Sequence, residues 1–244
     1  MLETLWQNFL QSLYIHLPFA LLAFILRWVS LSGFLGGLGI GWLVFLGLGW
    51  RGWVVLAFFF ALGTLVTRLG YKKKEALGLA QEASGRRGSR HVAANCALAT
   101  LLAVAALLVS EVWPGGVALL TAAFVGALAT ATLDTGSSEL GQLYGKKPVL
   151  ITTFRRVEPG TAGAVSWQGT LGGFGLAALV GVLAAAIGMI PWHHVWIPPV
   201  AGLIGGSFES YLGALVPSGK LSNEIENFLN TVVGAAAAFL LALI

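Results

Sequence analysis

Long apolar runs alternate with short polar stretches from one end of this chain to the other. A membrane-spanning helix needs about 20 consecutive apolar residues. Segments 5–26, 31–49, 52–69, 92–112, 116–134, 167–190, 197–216 and 226–244 each come close to that length. The pattern predicts an all-α, polytopic transmembrane helix bundle of about 7–8 spans, folded as a single transmembrane domain over residues 1–244. The first 50 residues fit least well. Segment 31–49 is rich in glycine (Gly33, Gly36, Gly37, Gly39, Gly41, Gly47, Gly49) and reads either as a tightly packed span or as a re-entrant segment. The pairs Gly37/Gly41, Gly169/Gly173 and Gly202/Gly206 have the small-xxx-small spacing that lets helix backbones approach closely.

Composition agrees with a membrane protein. Hydrophobic residues make up 57% of the 244 and charged residues only 10%; a soluble domain carries about 25% charge. The apolar runs are too many for a signal peptide, and no small-residue cleavage site follows the first. The single cysteine, Cys96, permits no intramolecular disulfide and suggests no metal cluster. His16, His91, His193 and His194 are scattered without zinc-ligand spacing. The last two lie in PWHHVW, where Trp192 and Trp196 read as an interfacial aromatic belt.

Charge sets the expected topology. With eight spans, Arg27, Arg68, Lys72, Lys73, Lys74, Arg86, Arg87, Arg90, Lys146, Lys147, Arg155, Arg156 and Lys220 share one side, and only Arg51 falls opposite. The positive-inside rule makes the basic side cytoplasmic and puts both termini on the other. Two long loops are expected there, 69–91 and the stretch around 135–166, with a shorter one at 217–225. The basic loop 69–91 reads either as a positive-inside loop touching anionic lipid or as a phosphate clamp. Arginine in a Gly-rich segment favours the clamp, because a planar guanidinium grips phosphate oxygens in pairs.

The stretch 129–170 concentrates the candidate chemistry. Asp134 closes an apolar run and Glu139 follows five residues later; then come Lys146, Lys147, Thr152, Thr153, Arg155, Arg156 and the turn Pro159–Ser166. A third acid, Glu209, lies inside an apolar segment, where charge is costly and usually functional. Carboxylates facing phosphates suggest Mg²⁺, a hard ion that takes a few carboxylates plus substrate oxygens. The alternative is that Glu209 bonds Ser207, Ser210 or Tyr211 and serves helix packing. The turn at Gly160–Gly163 opens a helix and so has the form of an anion site; Ser166 also has the form of an ordinary N-cap. Gly136 and Gly141 have the Walker gap, but Gln142 stands where lysine is required. No Rossmann or kinase signature appears.

A short repeat adds to this. Gly63–Thr67, Ala131–Thr135 and Gly206–Ser210 share the pattern small, hydroxyl, apolar, variable, hydroxyl, at spacings of 68 and 75 residues. Two of the three supply an acid at the variable place, and Val66 fills it in the other.

The segments GTLVTRLGYKKKEALGLAQEASGRRGSRHVAAN, DTGSSELGQLYGKKPVLITTFRRVEPGTAGAVSWQGT, GGSFESYLGAL and LSNEIENFLNTVVG together resemble the membrane-protein family that includes plant and cyanobacterial phytyl phosphate kinases. The resemblance runs from about residue 60 to the C-terminus. It implies an integral membrane kinase that moves a phosphoryl group from a nucleoside triphosphate to an isoprenyl monophosphate, with Mg²⁺ and with CTP favoured. The product, phytyl diphosphate, would serve tocopherol and phylloquinone synthesis. On this reading Asp134, Glu139 and Glu209 hold the metal, and Arg86 and Lys147 join them as catalytic groups. Arg87, Lys146, Thr152, Thr153, Arg156, Gly160, Thr161, Gly163, Ser166 and Asn227 bind substrate and nucleotide phosphates. Two positions depart from the family pattern: Ala162 stands where asparagine is expected, removing a phosphate donor, and Glu209 replaces aspartate, keeping the charge on a longer arm. The rival function is a transporter of a phosphorylated or anionic solute. That reading asks for polar groups near the bilayer midplane, whereas here they gather on one side. Apart from these substrates the partners are membrane lipid; no nucleic acid is expected.

Overall fold

The computed structural model describes residues 2–81, 85–216 and 220–244, with side chains from residue 10 onward. The expected loops 69–91 and 217–225 therefore include positions, 82–84 and 217–219, that lie outside the described residues. The helices are α1 (Leu2–Ile25), α2 (Leu31–Arg68), α3 (Tyr71–Ala76), α4 (Ser89–Val109), α5 (Pro114–Tyr144), α6 (Trp167–Ala186), α7 (Ile197–Leu215) and α8 (Asn223–Leu241). Two short strands, β1 (Val149–Leu150) and β2 (Ala164–Val165), form an antiparallel pair with Val149 opposite Val165. Among the described residues α2, α4, α5, α6 and α8 are long and apolar enough to cross a membrane. The fold is the expected all-α polytopic bundle.

Helix starts follow local chemistry. Ser30, Ser166 and Ser222 each accept a hydrogen bond from the backbone N–H three residues on, capping α2, α6 and α8. Proline opens α5 and α7, where its missing N–H costs nothing.

Helix α2 is two rods. At Gly49 the backbone takes φ 65° and ψ −163°, a conformation open essentially to glycine alone. The chain folds back there, so that Gly33 on the first rod and Gly63 on the second both pack against Arg87. Residues 31–49 and 52–69 are thus antiparallel neighbours, and the re-entrant reading of the first is not needed.

Helix α5 is the axis. Of its apolar stretch 78% is buried, against 28–39% for the other four membrane-length helices. It packs on α2, α4, α6, α7 and α8. Small residues such as Ala123, Gly126, Ala127 and Ala131 allow this close approach. The buried Thr130 and Thr132 hydroxyls donate to the carbonyls of Gly126 and Leu128, at 2.8 and 2.7 Å, so neither is left unpaired in the core.

The predicted end of this helix needs correction. Residue 134 does not close it; the helix runs ten residues further, to Tyr144. The sequence between holds no proline, and the one charge beyond Asp134, Glu139, is neutralised in place. Lys74 of α3 forms a fully buried ion pair with it and also donates to the Val66 and Thr67 carbonyls, at 3.2 and 2.8 Å. Lys73 donates to the Leu143 carbonyl at 3.3 Å, and the Tyr71 hydroxyl to the Gln81 carbonyl at 2.7 Å. Helix α3, at the start of the loop 69–91, is therefore docked on α5.

The basic residues collect at one end of the bundle. Arg68 donates to the carbonyls of Leu26 and Arg27, at 3.2 and 2.7 Å, and Arg87 exchanges backbone hydrogen bonds with Trp28 and Ser30, at 3.1 and 3.2 Å. Arg51 lies at the other end, beside Gly188.

Two predictions follow from these contacts. In a Cys96→Ala background, cysteines replacing Ala80 and Lys146 are expected to react with an impermeant maleimide from one side of sealed vesicles, and a cysteine replacing His194 from the other. Labelling of the first two from opposite sides would contradict the shared basic end. Lys74→Met alone should destabilise the purified protein by about 3–5 kcal/mol, because it strands a buried carboxylate. Lys74→Met with Glu139→Leu should recover most of the loss, read as the thermal midpoint in detergent.

Candidate functional site

At the basic end, α5, α6, α7 and the start of α8 enclose a cavity of about 520 Å³. Its floor is a pair of acids. Asp134 on α5 and Glu209 on α7 bring their carboxyl groups into hydrogen-bonding contact. Gly206, one turn before Glu209, packs on the side chain of Leu133, next to Asp134. Two carboxylates this close repel unless a proton or a cation lies between them. Asn230 on α8, fully buried, donates to Glu209 Oε2 at 2.6 Å and fixes the direction of that arm. Glu226, one helical turn earlier, also lines the cavity.

The roof is the turn 159–166, held out by β1 and β2. Gly160 and Gly163 have φ of 87° and 74°. At Gly163 a side chain is excluded twice over, by this conformation and by Ala214 and the Ser210 carbonyl against its Cα. The Ile151 N–H donates to the Gly163 carbonyl at 3.1 Å, tying the turn to the strand pair. Thr161 donates its hydroxyl proton to the Glu158 carbonyl at 2.7 Å. Ser166 accepts from the Gly169 N–H at 3.2 Å as the N-cap of α6. Ser166 also lines the cavity. The helix N-terminus here adds partial positive charge.

The walls include polar residues. Ser137 and Gln142 line the cavity, and Ser137 Oγ and Gln142 Oε1 are buried without a hydrogen bond. Gln142, at the position that rules out a Walker loop, faces the same space as Asp134.

The structure brings some of the expected residues together and separates others. Asp134, Glu209, Gly160, Thr161, Gly163 and Ser166 share the cavity, and Ala162 borders it. Lys146 and Lys147 are exposed beside its lining residues Gly145 and Pro148. Thr152, Thr153 and Arg156 sit on the strand-pair loop next to Ile151, where Arg156 bridges to Val149. Three expected groups leave the set. Glu139 is paired with Lys74 and does not reach the other acids, so the three-carboxylate cluster is not built. Arg87 is only 3% exposed and faces a different cavity, so Arg86 and Arg87 do not form one clamp; Arg86 is exposed. Asn227 is buried in α8 and stays off the cavity lining.

Asn230, Glu226, Ser137 and Gln142 were not picked out from the sequence. Their signal lay in helical spacing: Asn223, Glu226 and Asn230 recur at the steps that make one face of a helix.

The donor set suits a hard divalent cation in part. Two carboxylates in contact, with serine hydroxyls around them, match the one or two carboxylates that Mg²⁺ takes when phosphates complete its shell. Among the described residues no group of three His, Cys, Asp or Glu side chains is arranged to hold a metal without such help.

Comparison with known proteins agrees with the resemblance read from the motifs. Residues 14–237 match the family described as "Integral membrane protein DUF92". An uncharacterized membrane protein of Synechocystis sp. is 39% identical over 201 residues, 82% of this chain and 77% of the relative. One of Methanocaldococcus jannaschii is 34% identical over 98% of this chain and 96% of its own. "Protein VTE6, chloroplastic" of Arabidopsis thaliana is 33% identical over 220 residues, 87% of this chain and 65% of that protein's length. No solved structure matches. A match over nearly all of the chain, with relatives above 30% identity along most of its length, means that the protein belongs to the DUF92 family of integral membrane proteins.

Proposed function

We propose that the protein is a membrane phosphotransferase whose acceptor is itself a phosphate: an isoprenyl monophosphate kinase, with phytyl phosphate as substrate and CTP as the favoured donor. The observation that carries this reading is the acid pair Asp134–Glu209 set opposite the glycine turn 159–166 across one polar cavity. Acids on one wall and a backbone anion cradle on the other suit a metal-bound nucleotide. The family resemblance supports the same reaction, and the relation to Protein VTE6 is consistent with it. The gathering of these groups at the basic end of the bundle favours an enzyme over a transporter.

Phosphoryl transfer asks mainly for positioning and charge stabilisation. Mg²⁺ held here would supply charge neutralisation to the nucleotide phosphates. Asp134 and Glu209 would hold it, with Asn230 keeping the Glu209 arm in place. The turn at Gly160–Gly163, Ser166 and the N-terminus of α6 would orient a phosphate. Lys146, Lys147 and Arg156 at the rim would offset further negative charge, and Thr152 and Thr153 lie beside them. The acceptor oxygen is already ionised at neutral pH, so no dedicated base is required. Its attack on the γ-phosphorus forms one P–O bond as the β,γ-bridging bond breaks, giving isoprenyl diphosphate and nucleoside diphosphate. By the positive-inside rule this end faces the cytoplasm or its organellar equivalent. The diphosphate would serve tocopherol and phylloquinone synthesis.

The test is purified protein with phytyl phosphate, Mg²⁺ and each of the four nucleoside triphosphates, assayed for diphosphate product. No product with any donor refutes the kinase. Asp134→Asn and Glu209→Gln keep size and remove charge. Each is expected to lower kcat/KM by about 10²-fold or more with the thermal midpoint retained. Near-normal rates in both would refute the metal-holding role, and loss of folded protein without a change in specific activity would make the pair a packing contact.

A further inference from the structure

Helices α6 and α7 are neighbours in the ring around α5. Far from the basic end they touch: Gly181 of α6 packs on Pro198 of α7 and on the Val195 carbonyl just before that helix. Toward the basic end both turn to α5 instead. Gly173 of α6 packs on Ser137 and on the Leu133 carbonyl, and Gly206 of α7 packs on the Leu133 side chain. A Cβ at Gly206 would meet that leucine and no atom of α6 within 4 Å. The two helices therefore diverge from the Gly181–Pro198 contact, and α5 is the back wall of the gap between them. The gap belongs to the acid-pair cavity, which Thr170 lines from α6, Leu203 and Ser207 from α7 and Leu133 from α5. The turn 159–166 closes it at the top, where Gly163 lies against Ala214 and the Ser210 carbonyl. Its side is open. Leu203 lines the cavity and is also 37% exposed, with the exposed Ile204 next to it and the exposed Leu171 next to Thr170. A gap between two outer helices of a membrane bundle faces lipid.

On the phosphotransfer reading, on which this inference rests, the acceptor is a phosphate with a hydrocarbon tail. Its phosphate belongs with the acid pair and the turn 159–166. Leu203 precedes Glu209 by six residues, about 9 Å along the helix at 1.5 Å per residue. That rise takes only the first isoprene units of a phytyl tail, and the rest must leave the cavity. Toward the basic end the tail would meet water, which hydrocarbon avoids; through the gap it meets lipid. We propose that the acceptor enters from the bilayer between α6 and α7, with Thr170 and Leu203 as the two edges of the opening and the end of the tail left in lipid. The acceptor this entry admits is a single-chain lipid phosphate drawn from the membrane, not a water-soluble phosphate.

The test is photolabelling of the protein in liposomes, with Mg²⁺ and a farnesyl phosphate that carries a diazirine on its second isoprene unit, read by peptide mass spectrometry. Labels are expected on the peptides that hold Thr170 and Leu203, ahead of the exposed Leu101 and Leu108 of α4. The same probe as the free alcohol should label them at least about tenfold less, the scale of one lost charge-assisted contact. Dimethylallyl phosphate, with the same head but a tail too short to hold it in the bilayer, should compete at least about tenfold less well than phytyl phosphate. Leu203→Trp should fill the opening and suppress labelling at Thr170; Thr170→Trp should do the same at Leu203 from the facing helix. Labelling needs no turnover, so labels at the gap without any diphosphate product would support this entry and refute the kinase. Labels spread evenly over the lipid-facing helices or confined to α1 and α2, equal labelling by the alcohol, or equal competition by dimethylallyl phosphate would each overturn the proposal.

Discussion

Helix α5 must carry two carboxylates through the most buried part of a membrane bundle, and the arrangement of its neighbours answers that requirement. Uncompensated charge in such a setting costs far more than a single packing contact returns. Glu139 is met by Lys74, delivered by the short helix α3, which in turn ties the basic loop to the carbonyls of Val66, Thr67 and Leu143. Asp134, a turn and a half closer to the centre, is met by another acid, Glu209. The two ends of one helix stretch thus receive opposite treatment. One charge is cancelled and becomes structural; the other is doubled and becomes a place where a cation or a proton is wanted.

The small residues of the bundle make this possible. Gly206 packs on the Leu133 side chain where α7 meets α5, and Gly163 lies against Ala214 and the Ser210 carbonyl where the roof meets α7. Both glycines line the cavity. Both contacts border a cavity that Asp134, Glu209 and the turn 159–166 line together. Asn230 completes the floor from a third helix by donating to Glu209. An acid on a long arm needs such a contact more than a short one does, which is the structural consequence of glutamate standing at position 209.

The three five-residue repeats share the surroundings of α5, but only two of them build the cavity. The second and third meet face to face through Leu133 and Gly206, close to their acids. The first, with Val66 at the variable place, contributes carbonyl oxygens to Lys74 on the other side of α5. Its lack of an acid fits that position, since Glu139 already occupies the adjoining space.

Hydropathy along the chain was enough to determine a helical membrane bundle, because bilayer thickness imposes a length on every apolar run. The bias of Lys and Arg was enough to predict that one end of the bundle would be basic. Asp134, Glu209 and the glycine turn 159–166 were also legible, since acids among apolar residues and a glycine-rich helix entry are costly or unusual wherever they occur. Which acid pairs with which partner was not legible. Asp134 and Glu139 are five residues apart on one helix, and that spacing places them on different sides of it. Only the packing of α3 on one side and α7 on the other decided that Glu139 is neutralised and Asp134 is not. The same holds for Arg86 and Arg87, adjacent in sequence but pointed apart. The backbone bonds that Arg87 exchanges with Trp28 and Ser30 turn its side chain into the apolar slot beside α1, a contact across about 60 residues that no local pattern announces.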